Sequence, residues 1–324
     1  MKKPLLMLIL AASLIGLTAC ASAPSAGLGS AAGVSEGSAP SKGSALTIKD
    51  FADRSITFPS VPRNIVALAN GEMDIVYALG GTLVGRPTAT VPVTLQAAQS
   101  VEQVGSTHGI DLEKIALLSP DVVLGNHPLN TKDIPGVEGV GSKMVLTSAN
   151  SIDDIKKQIG LFGQLLQKED KAKELTQAID QKLQELKTTP SAAKTRVLMV
   201  YGAPGTYMAA LNNSLSGDIL VSAGGENIAA DYPKLDNYPQ YAQMNTEKII
   251  KSNPQLIVIM THGSPEKVKD GFMKEMQQNA AWSSLDAVKN NHIEILPADL
   301  FGTNPGTKVV NALDLMSKRL QAAK

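Results

Sequence analysis

The sequence has little of what several large functional classes require. Its 324 residues include one cysteine and four histidines, which excludes an internal disulfide framework and metal sites built from several cysteines. Aromatic residues make up 4% of the chain, and 30 basic residues balance 30 acidic ones. Because nucleic-acid-binding proteins need a positive surface to neutralise phosphates, we expect no nucleic acid among the partners.

Common catalytic motifs are also missing. The chain has neither a glycine-rich phosphate loop nor a His-Glu-x-x-His helix motif. With few histidines and one cysteine, it offers poor support for nucleophilic catalysis. We therefore expect a protein that is not an enzyme and has no catalytic residues.

The first 20 residues contain a long apolar run. Lys2 and Lys3 precede the apolar stretch Leu5–Leu17, which is short for a membrane span and typical of an export signal. The following Leu17-Thr18-Ala19-Cys20 resembles the lipobox of bacterial lipoproteins, which implies cleavage before Cys20 and lipidation of that residue. We predict a signal peptide over 1–19 and a lipid-anchored protein on the extracytoplasmic face of the cell membrane.

A tether follows the cysteine. Ala, Ser, Gly and Pro fill 21 of the 25 positions in 21–45, and such a segment buries too little apolar surface to offset its ordering entropy. We predict that the lipidated Cys20 and a flexible tether occupy 20–45, ahead of a globular body.

Two stretches of the body match each other at an offset of 134 positions. Each has Glu-Lys-Ile, then Pro seven residues after the Glu, then a continuous apolar run; the glutamates are Glu113 and Glu247. This pattern predicts a short helix, a turn and a buried strand of a parallel sheet. We therefore predict two Rossmann-like α/β lobes, over 46–167 and 191–324.

Other segments extend this plan. Apolar residues at 3–4 spacing predict helices between the lobes, and the second of these is a single long linking helix over 168–190. Further strands are expected in the first sheet at Asn64–Leu68, Leu83–Gly85 and Lys143–Leu146, and in the second at Arg196–Tyr201 and His292–Leu296.

Histidines follow two of the buried strands. His127 and His262 come just after the apolar runs of the repeat. Because ligands bind beyond the carboxyl ends of parallel strands, we expect both at the mouth of a cleft between the lobes. His292 is predicted to be structural, and His108 carries no signal.

Taken together, the lipobox, tether, two lobes, linking helix and repeated Glu-Lys-Ile…Pro unit resemble the substrate-binding lipoproteins of iron-complex ABC importers. These proteins bind siderophores, haem or cobalamin. The second lobe is similar to the haem-receptor lipoproteins of the iron-regulated surface determinant system. The matching segments are Gly202–Tyr207, Ala223–Asn227 and His262–Glu266. The resemblance implies the class III periplasmic-binding-protein fold, with the ligand in a cleft between the lobes. It also implies that the chain captures haem and delivers it to a permease dimer for iron uptake.

The resemblance also implies roles for single residues at the iron. In the family a histidine of the second lobe and a methionine of the first hold the haem iron, and these correspond to His262 and Met73; His127 is an alternative second ligand. An imidazole and a thioether suit haem iron.

Other residues are candidates for the cleft and for partners. Arg86 can form bidentate bonds to a haem propionate, and the further candidates for the propionate edge or cleft wall are Thr88, Tyr207 and Phe301. The repeated Glu113 and Glu247 correspond to the family's permease-docking glutamates. Surface proteins that donate haem are further implied partners. A ferric-siderophore-binding lipoprotein is the alternative function, although the scarcity of Arg and Trp disfavours it.

Overall fold

The computed structural model describes residues 45–88, 95–188, 194–203, 205–261 and 264–324. Cys20 and the predicted signal peptide and tether lie outside the described residues, apart from residue 45. The described body consists of two α/β lobes, as the sequence predicts. No helix in these ranges combines the length and apolar character that crossing a bilayer requires.

The first lobe contains the following strands and helices in chain order. The strands are β1 (Leu46–Lys49), β2 (Ser55–Phe58), β3 (Ile65–Ala67), β4 (Gly85–Arg86), β5 (Glu102–Gln103), β6 (Gly105–Ser106), β7 (Gly109–Ile110), β8 (Val122–Asn126) and β9 (Lys143–Thr147). The helices are α1 (Asn70–Ala78), α2 (Leu112–Leu118), α3 (Ile134–Gly139) and α4 (Ile152–Leu166).

The described part of this lobe is built on a five-stranded sheet in the order β5-β4-β3-β8-β9, with all neighbouring strands parallel. The central β3 and β8 are apolar and almost completely buried, because helices cover both faces of a parallel sheet. Two antiparallel hairpins, β1–β2 and β6–β7, lie outside this sheet.

A long helix leads out of the first lobe. This helix, α5, spans Glu169–Thr188, close to the predicted linking segment. It packs against α4 and against the last helix of the chain. Only Ala172 and Ile179 of α5 are buried, so its outer face is polar.

The second lobe continues the numbering. Its strands are β10 (Arg196–Ala203), β11 (Thr206–Ala210), β12 (Glu226–Asn227), β13 (Tyr241–Gln243), β14 (Leu256–Met260) and β15 (Ile293–Ile295). Its helices are α6 (Leu215–Ser222), α7 (Thr246–Ser252), α8 (Pro265–Gln277), α9 (Asp286–Lys289), α10 (Ala298–Phe301) and α11 (Val309–Ala322).

Within the described residues the second sheet has the order β13-β11-β10-β14-β15, and β12 also pairs with β10. Strands β10, β14 and β15 are parallel to one another. On the other side of β10, β11 pairs antiparallel with β10, and β13 pairs antiparallel with β11. The sequence predicted β10, β14 and β15. The short edge strands were not predicted.

The predicted repeat is present in the fold. Helices α2 and α7 each have seven residues, and a side chain caps each N-terminus: Asp111 accepts from the Lys114 N–H and Asn245 from the Lys248 N–H. Each helix ends in a left-handed residue before a proline and a buried strand. The two units therefore hold equivalent places in the two sheets.

Candidate functional site

A cavity of about 540 Å³ lies between the two lobes, within the size range of small-molecule sites, ~300–1,000 Å³. Its walls come from the carboxyl ends of strands. In the first lobe these are the segments after β8 and β9, and in the second the ends of β10 and β14. The lining residues are Asn126, His127, Pro128, Leu129, Ser148, Ala149, Asn150, Tyr201, Ser214, Leu215, Ser216, Ile219, Asn237, Tyr238, Pro239, Gln240, Tyr241, Met260, Leu300, Phe301, Gly302, Thr303 and Asn304.

The described lining contains no Lys, Arg, Asp or Glu. Its polar groups are hydroxyls, amides and one imidazole, and the rest is aliphatic or aromatic. Apolar walls with a few polar groups are typical of sites for organic ligands. This cavity therefore suits a ligand that buries an uncharged, largely apolar body.

His127 lies on the first-lobe wall of the cavity. It follows the end of β8, is half-buried, and its Nδ1 lies 3.3 Å from the Thr131 hydroxyl oxygen. The turn after it is fixed by the buried Asn130, whose Oδ1 accepts a hydrogen bond from the Asn126 N–H at 2.9 Å. The imidazole is thus directed to the cleft by a defined turn.

Asn130 also brings a second histidine to this edge of the first lobe. Its Nδ2 donates to the Thr107 carbonyl at 3.2 Å, which connects the β6–β7 hairpin to the turn after His127. The next residue, His108, is exposed at the tip of this hairpin. His108 carries no signal in the sequence, because its loop shows no pattern; the Asn130–Thr107 hydrogen bond is what connects its hairpin to the turn after His127.

His262 lies outside the described residues. The strand before it, β14, is buried along its whole length, and its last residue, Met260, lines the cavity. Thr261 is buried, and α8 begins at Pro265.

Met73 lies in the first turn of α1, as predicted. Its side chain is only 5% exposed and packs in the apolar core that includes Ile75 and Val76. It does not belong to the described cavity lining. The structure therefore does not bring Met73 together with His127.

A buried polar network lies beside Met73. Glu72 Oε1 accepts hydrogen bonds from the Thr147 hydroxyl at 2.9 Å and from Gln158 Nε2 at 3.2 Å, whereas Oε2 has no partner among the described residues. Burial raises the pKa of the Glu72 carboxyl, although both hydrogen bonds act in the opposite direction. Gln158 Oε1 in turn accepts from Asn304 Nδ2 at 2.8 Å, so the network extends from the first lobe to the cavity.

A second set of contacts joins the two lobes, between α1 and the loop that contains Asn304 and Thr307. Asp74 Oδ2 accepts from both the N–H and the hydroxyl of Thr307, at 2.7 and 2.6 Å. Gly71 packs so closely that an added Cβ would overlap the Asn304 side chain. We call these contacts of Gly71 and Asp74 with the loop of Asn304 and Thr307 the floor joint. It fixes the loop that lines one side of the cavity.

Arg86 and Thr88 lie away from the described cavity lining. Arg86 is buried, and its guanidinium donates to the carbonyls of Pro87 at 3.1 Å and Gln99 at 3.5 Å. Thr88 is exposed, and its hydroxyl accepts from the Gly105 N–H. In this structure both residues make contacts within the first lobe.

The two aromatic candidates differ. Phe301 lines the cavity. Tyr207 does not belong to the described lining; its hydroxyl donates to the Val268 carbonyl at 3.1 Å and its ring packs on Phe272. Tyr207 therefore joins β11 to α8.

Three other tyrosines line the cavity. Tyr201 and Tyr241 form a tilted pair with ring centroids 5.3 Å apart, and Tyr238 is 58% exposed at the mouth. Burial raises the pKa of the Tyr201 phenol, and raises that of Tyr241 to about 12. Sequence reasoning missed all three, although the position of Tyr201 at the end of a predicted strand was an available signal.

Glu113 and Glu247 are exposed in the first turns of α2 and α7. The two helices run back from the carboxyl edges of their sheets, because each precedes a parallel strand. Both carboxylates therefore lie toward the cleft side of their own lobe, at equivalent positions.

Among the described residues, no three His, Cys, Asp or Glu side chains cluster into a possible metal site.

Comparison with known proteins identifies relatives that span most of the body. The periplasmic binding protein family matches residues 65–300. The high-affinity heme uptake system protein IsdE of Staphylococcus aureus is 31% identical over 224 residues, 68% of this chain and 74% of that protein. The crystal structure of S. aureus IsdE complexed with heme matches with a TM-score of 0.69 and 28% identity, covering 79% of this chain and 98% of that one.

Two further solved structures are similar. An ABC transporter substrate-binding protein from Listeria monocytogenes EGD-e has a TM-score of 0.69 and 30% identity, covering 80% of this chain and 99% of that one. S. aureus SirA complexed with staphyloferrin B has a TM-score of 0.70 and 21% identity, covering 85% of this chain and 98% of that one. The predicted fold, with two α/β lobes in the class III arrangement, is confirmed.

Proposed function

The chain belongs to the periplasmic binding protein family as a substrate-binding protein of an iron-complex ABC importer, and from this premise we propose that its ligand is haem. In this proposal the chain captures haem on the extracytoplasmic side of the membrane and delivers it to the permease. Its role is binding and transport, not catalysis.

The observation that carries this proposal is the uncharged cavity with His127 on its first-lobe wall. Haem is a large apolar plate that needs an apolar slot and axial ligands. On the second-lobe side, β14 ends at Met260 in the cavity wall, two positions before His262. The 31% identical IsdE is named for heme uptake, which supports the same ligand.

For the iron itself, we propose His262 and one first-lobe side chain as axial ligands. Of the two first-lobe candidates, His127 lines the cavity, whereas the Met73 side chain is buried in the core. Burial of Met73 favours His127, and two neutral imidazoles are suitable axial ligands for haem iron. Phe301 would contribute to the apolar wall.

A ferric siderophore is the alternative ligand. Carboxylate-rich iron complexes are best held by Arg or Lys, which form charge-assisted hydrogen bonds. The described cavity lining contains neither, and this observation favours haem.

The proposal is tested by adding haemin to the whole chain, purified in a mild detergent, and recording visible spectra. Cyanocobalamin and ferric citrate serve as comparison ligands in the same assay. We expect a shifted Soret band with haemin, saturating at one haemin per chain, and a changed bound spectrum for His262→Ala. The absence of a Soret shift, or saturable binding of another ligand instead of haemin, would refute the proposed ligand.

The partner in transport is the importer's permease, and we propose that Glu113 and Glu247 are the docking residues. Both are exposed at equivalent positions of the two lobes, and this two-fold relation suits a permease dimer. We also propose that lipidated Cys20 anchors the chain to the membrane, and that surface proteins supply the haem. Radiolabelled palmitate incorporation that is lost in Cys20→Ala would test the anchor.

A further inference from the structure

We infer that the cavity recognises the uncharged body of a metal macrocycle and leaves the ligand's carboxylates in solvent. This inference rests on the proposed function and narrows the substrate class. The chain would accept metalloporphyrins whether or not their side chains carry charge. It also reverses the sequence-based expectation that an arginine pairs with a haem propionate.

The argument starts from the cavity wall. Its described lining has no charged side chain, so a carboxylate buried there would meet only neutral hydroxyl, amide and imidazole groups. Burying a charge without a charged partner is costly. The body positions outside the described residues, 89–94, 189–193, 204 and 262–263, contain neither Lys nor Arg. They therefore cannot supply the missing cation.

Basic side chains near the lining, or predicted for the cleft, make other contacts or are exposed. Lys234, three positions before Asn237, is exposed. Arg86 donates to backbone carbonyls of its own lobe. The Lys308 Nζ lies 3.9 Å from Asp74 Oδ1 at the floor joint. Lys132 is exposed on the turn after Leu129, so a carboxylate that reached it would remain in water, where such an ion pair contributes little.

The tyrosine pair forms an aromatic part of the cavity wall. Tyr201 and Tyr241 present two rings at the second-lobe side, and raised pKa values keep both phenols neutral well beyond physiological pH. Aromatic rings contribute large apolar contact area with little loss of side-chain entropy. We assign these rings to contact with the macrocycle, while neutral amides such as Asn150 and Asn237 supply weak polar contacts.

The test compares haemin with haemin dimethyl ester, which has the same macrocycle and iron but no carboxylates. Both ligands are titrated into the whole chain at one detergent concentration. We expect dissociation constants within about fivefold of each other, since a solvent-exposed charge contributes at most about 1 kcal/mol. Weaker binding of the ester by a larger factor would overturn the inference.

A variant separates ring contact from hydrogen bonding to a carboxylate. Tyr241→Phe keeps the ring and removes the hydroxyl, so it should change the affinity for haemin and for the ester by the same factor. Tyr201→Phe provides a second, independent comparison. A loss that affects haemin but spares the ester would mean that a phenol binds the propionate, and would overturn the inference.

The outcomes also separate this inference from the proposed function. If the wild-type chain binds haemin and fails to bind the ester, only the inference is wrong. If it binds neither ligand, the proposed function is wrong.

Discussion

Glu72 shows how the environment of a single side chain sets its chemistry. Its carboxyl group is buried, with two hydrogen bonds to Oε1 and none to Oε2 within the described residues. Burial disfavours the charged form and raises the pKa above its ordinary value. The folded state therefore binds a proton more tightly than the unfolded state, and stability must fall as pH rises from the ordinary carboxyl range through the raised pKa.

We predict that Glu72→Gln removes this pH dependence. Glutamine imitates the protonated carboxyl group and can keep the hydrogen bonds from Thr147 and Gln158. The variant should match the wild type below the ordinary carboxyl pKa and have a higher free energy of unfolding at neutral and alkaline pH. Urea unfolding at several pH values measures this difference, and a difference that does not change with pH would contradict the assignment.

The proposed second axial ligand is also tested at single residues. We predict that Met73→Leu, a volume-conserving change in a buried site, leaves the spectrum of bound haemin unchanged. His127→Gln should alter the spectrum and weaken haemin binding by about tenfold or more. His108→Gln is the matched control on the neighbouring hairpin. A spectral change with His108→Gln and none with His127→Gln would move the ligand to the hairpin, and one with Met73→Leu would restore the methionine.

At the scale of secondary-structure elements, α1 and the loop before α11 form the floor joint. Gly71 occupies the N-terminal turn of α1, where Asn304 leaves no space for a methyl group. We predict that Gly71→Ala destabilises the protein by about 1–3 kcal/mol through overpacking and also weakens haemin binding, because Asn304 lines the cavity. Thermal unfolding and haemin titration measure the two effects.

Gly160 in α4 is the matched control for this prediction. A Cβ at that position meets no atom within 4 Å, so Gly160→Ala should stabilise the helix by about 0.5–1 kcal/mol. Haemin affinity should stay unchanged. If both alanine variants behaved alike, the close approach at Gly71 would have no energetic role.

The sequence predicted elements well where the apolar pattern was strong. Strands β8 and β14 are continuous apolar runs, and the two Glu-Lys-Ile…Pro units predicted α2 and α7 as well. The floor joint was not predictable. Its contacts link positions such as Asp74 and Thr307 that are far apart in the sequence, and no local pattern marks them. Tyr238 and Tyr241 were not predictable for the same reason, whereas Tyr201 lies at the end of a predicted strand.

At the scale of the whole molecule, the two lobes repeat one plan around the cleft. Glu113 and Glu247 occupy equivalent first-turn positions on helices that are capped alike, so a two-fold permease can meet the same charge twice. Neither carboxylate belongs to the described cavity lining. Docking and ligand binding should therefore be separable by mutation.

We predict that Glu113→Gln together with Glu247→Gln leaves haemin binding unchanged and reduces haem uptake by cells that carry the variant in place of their own gene. Each single variant should have a smaller effect, because one lobe still offers its charge. Glu266→Gln, at an exposed glutamate in the first turn of α8, is the matched control and should transport normally. Haem-dependent growth under iron limitation measures the effect. Normal growth of the double variant would show that the permease recognises other groups, whereas parallel losses of uptake and haemin binding would place these glutamates in the ligand site.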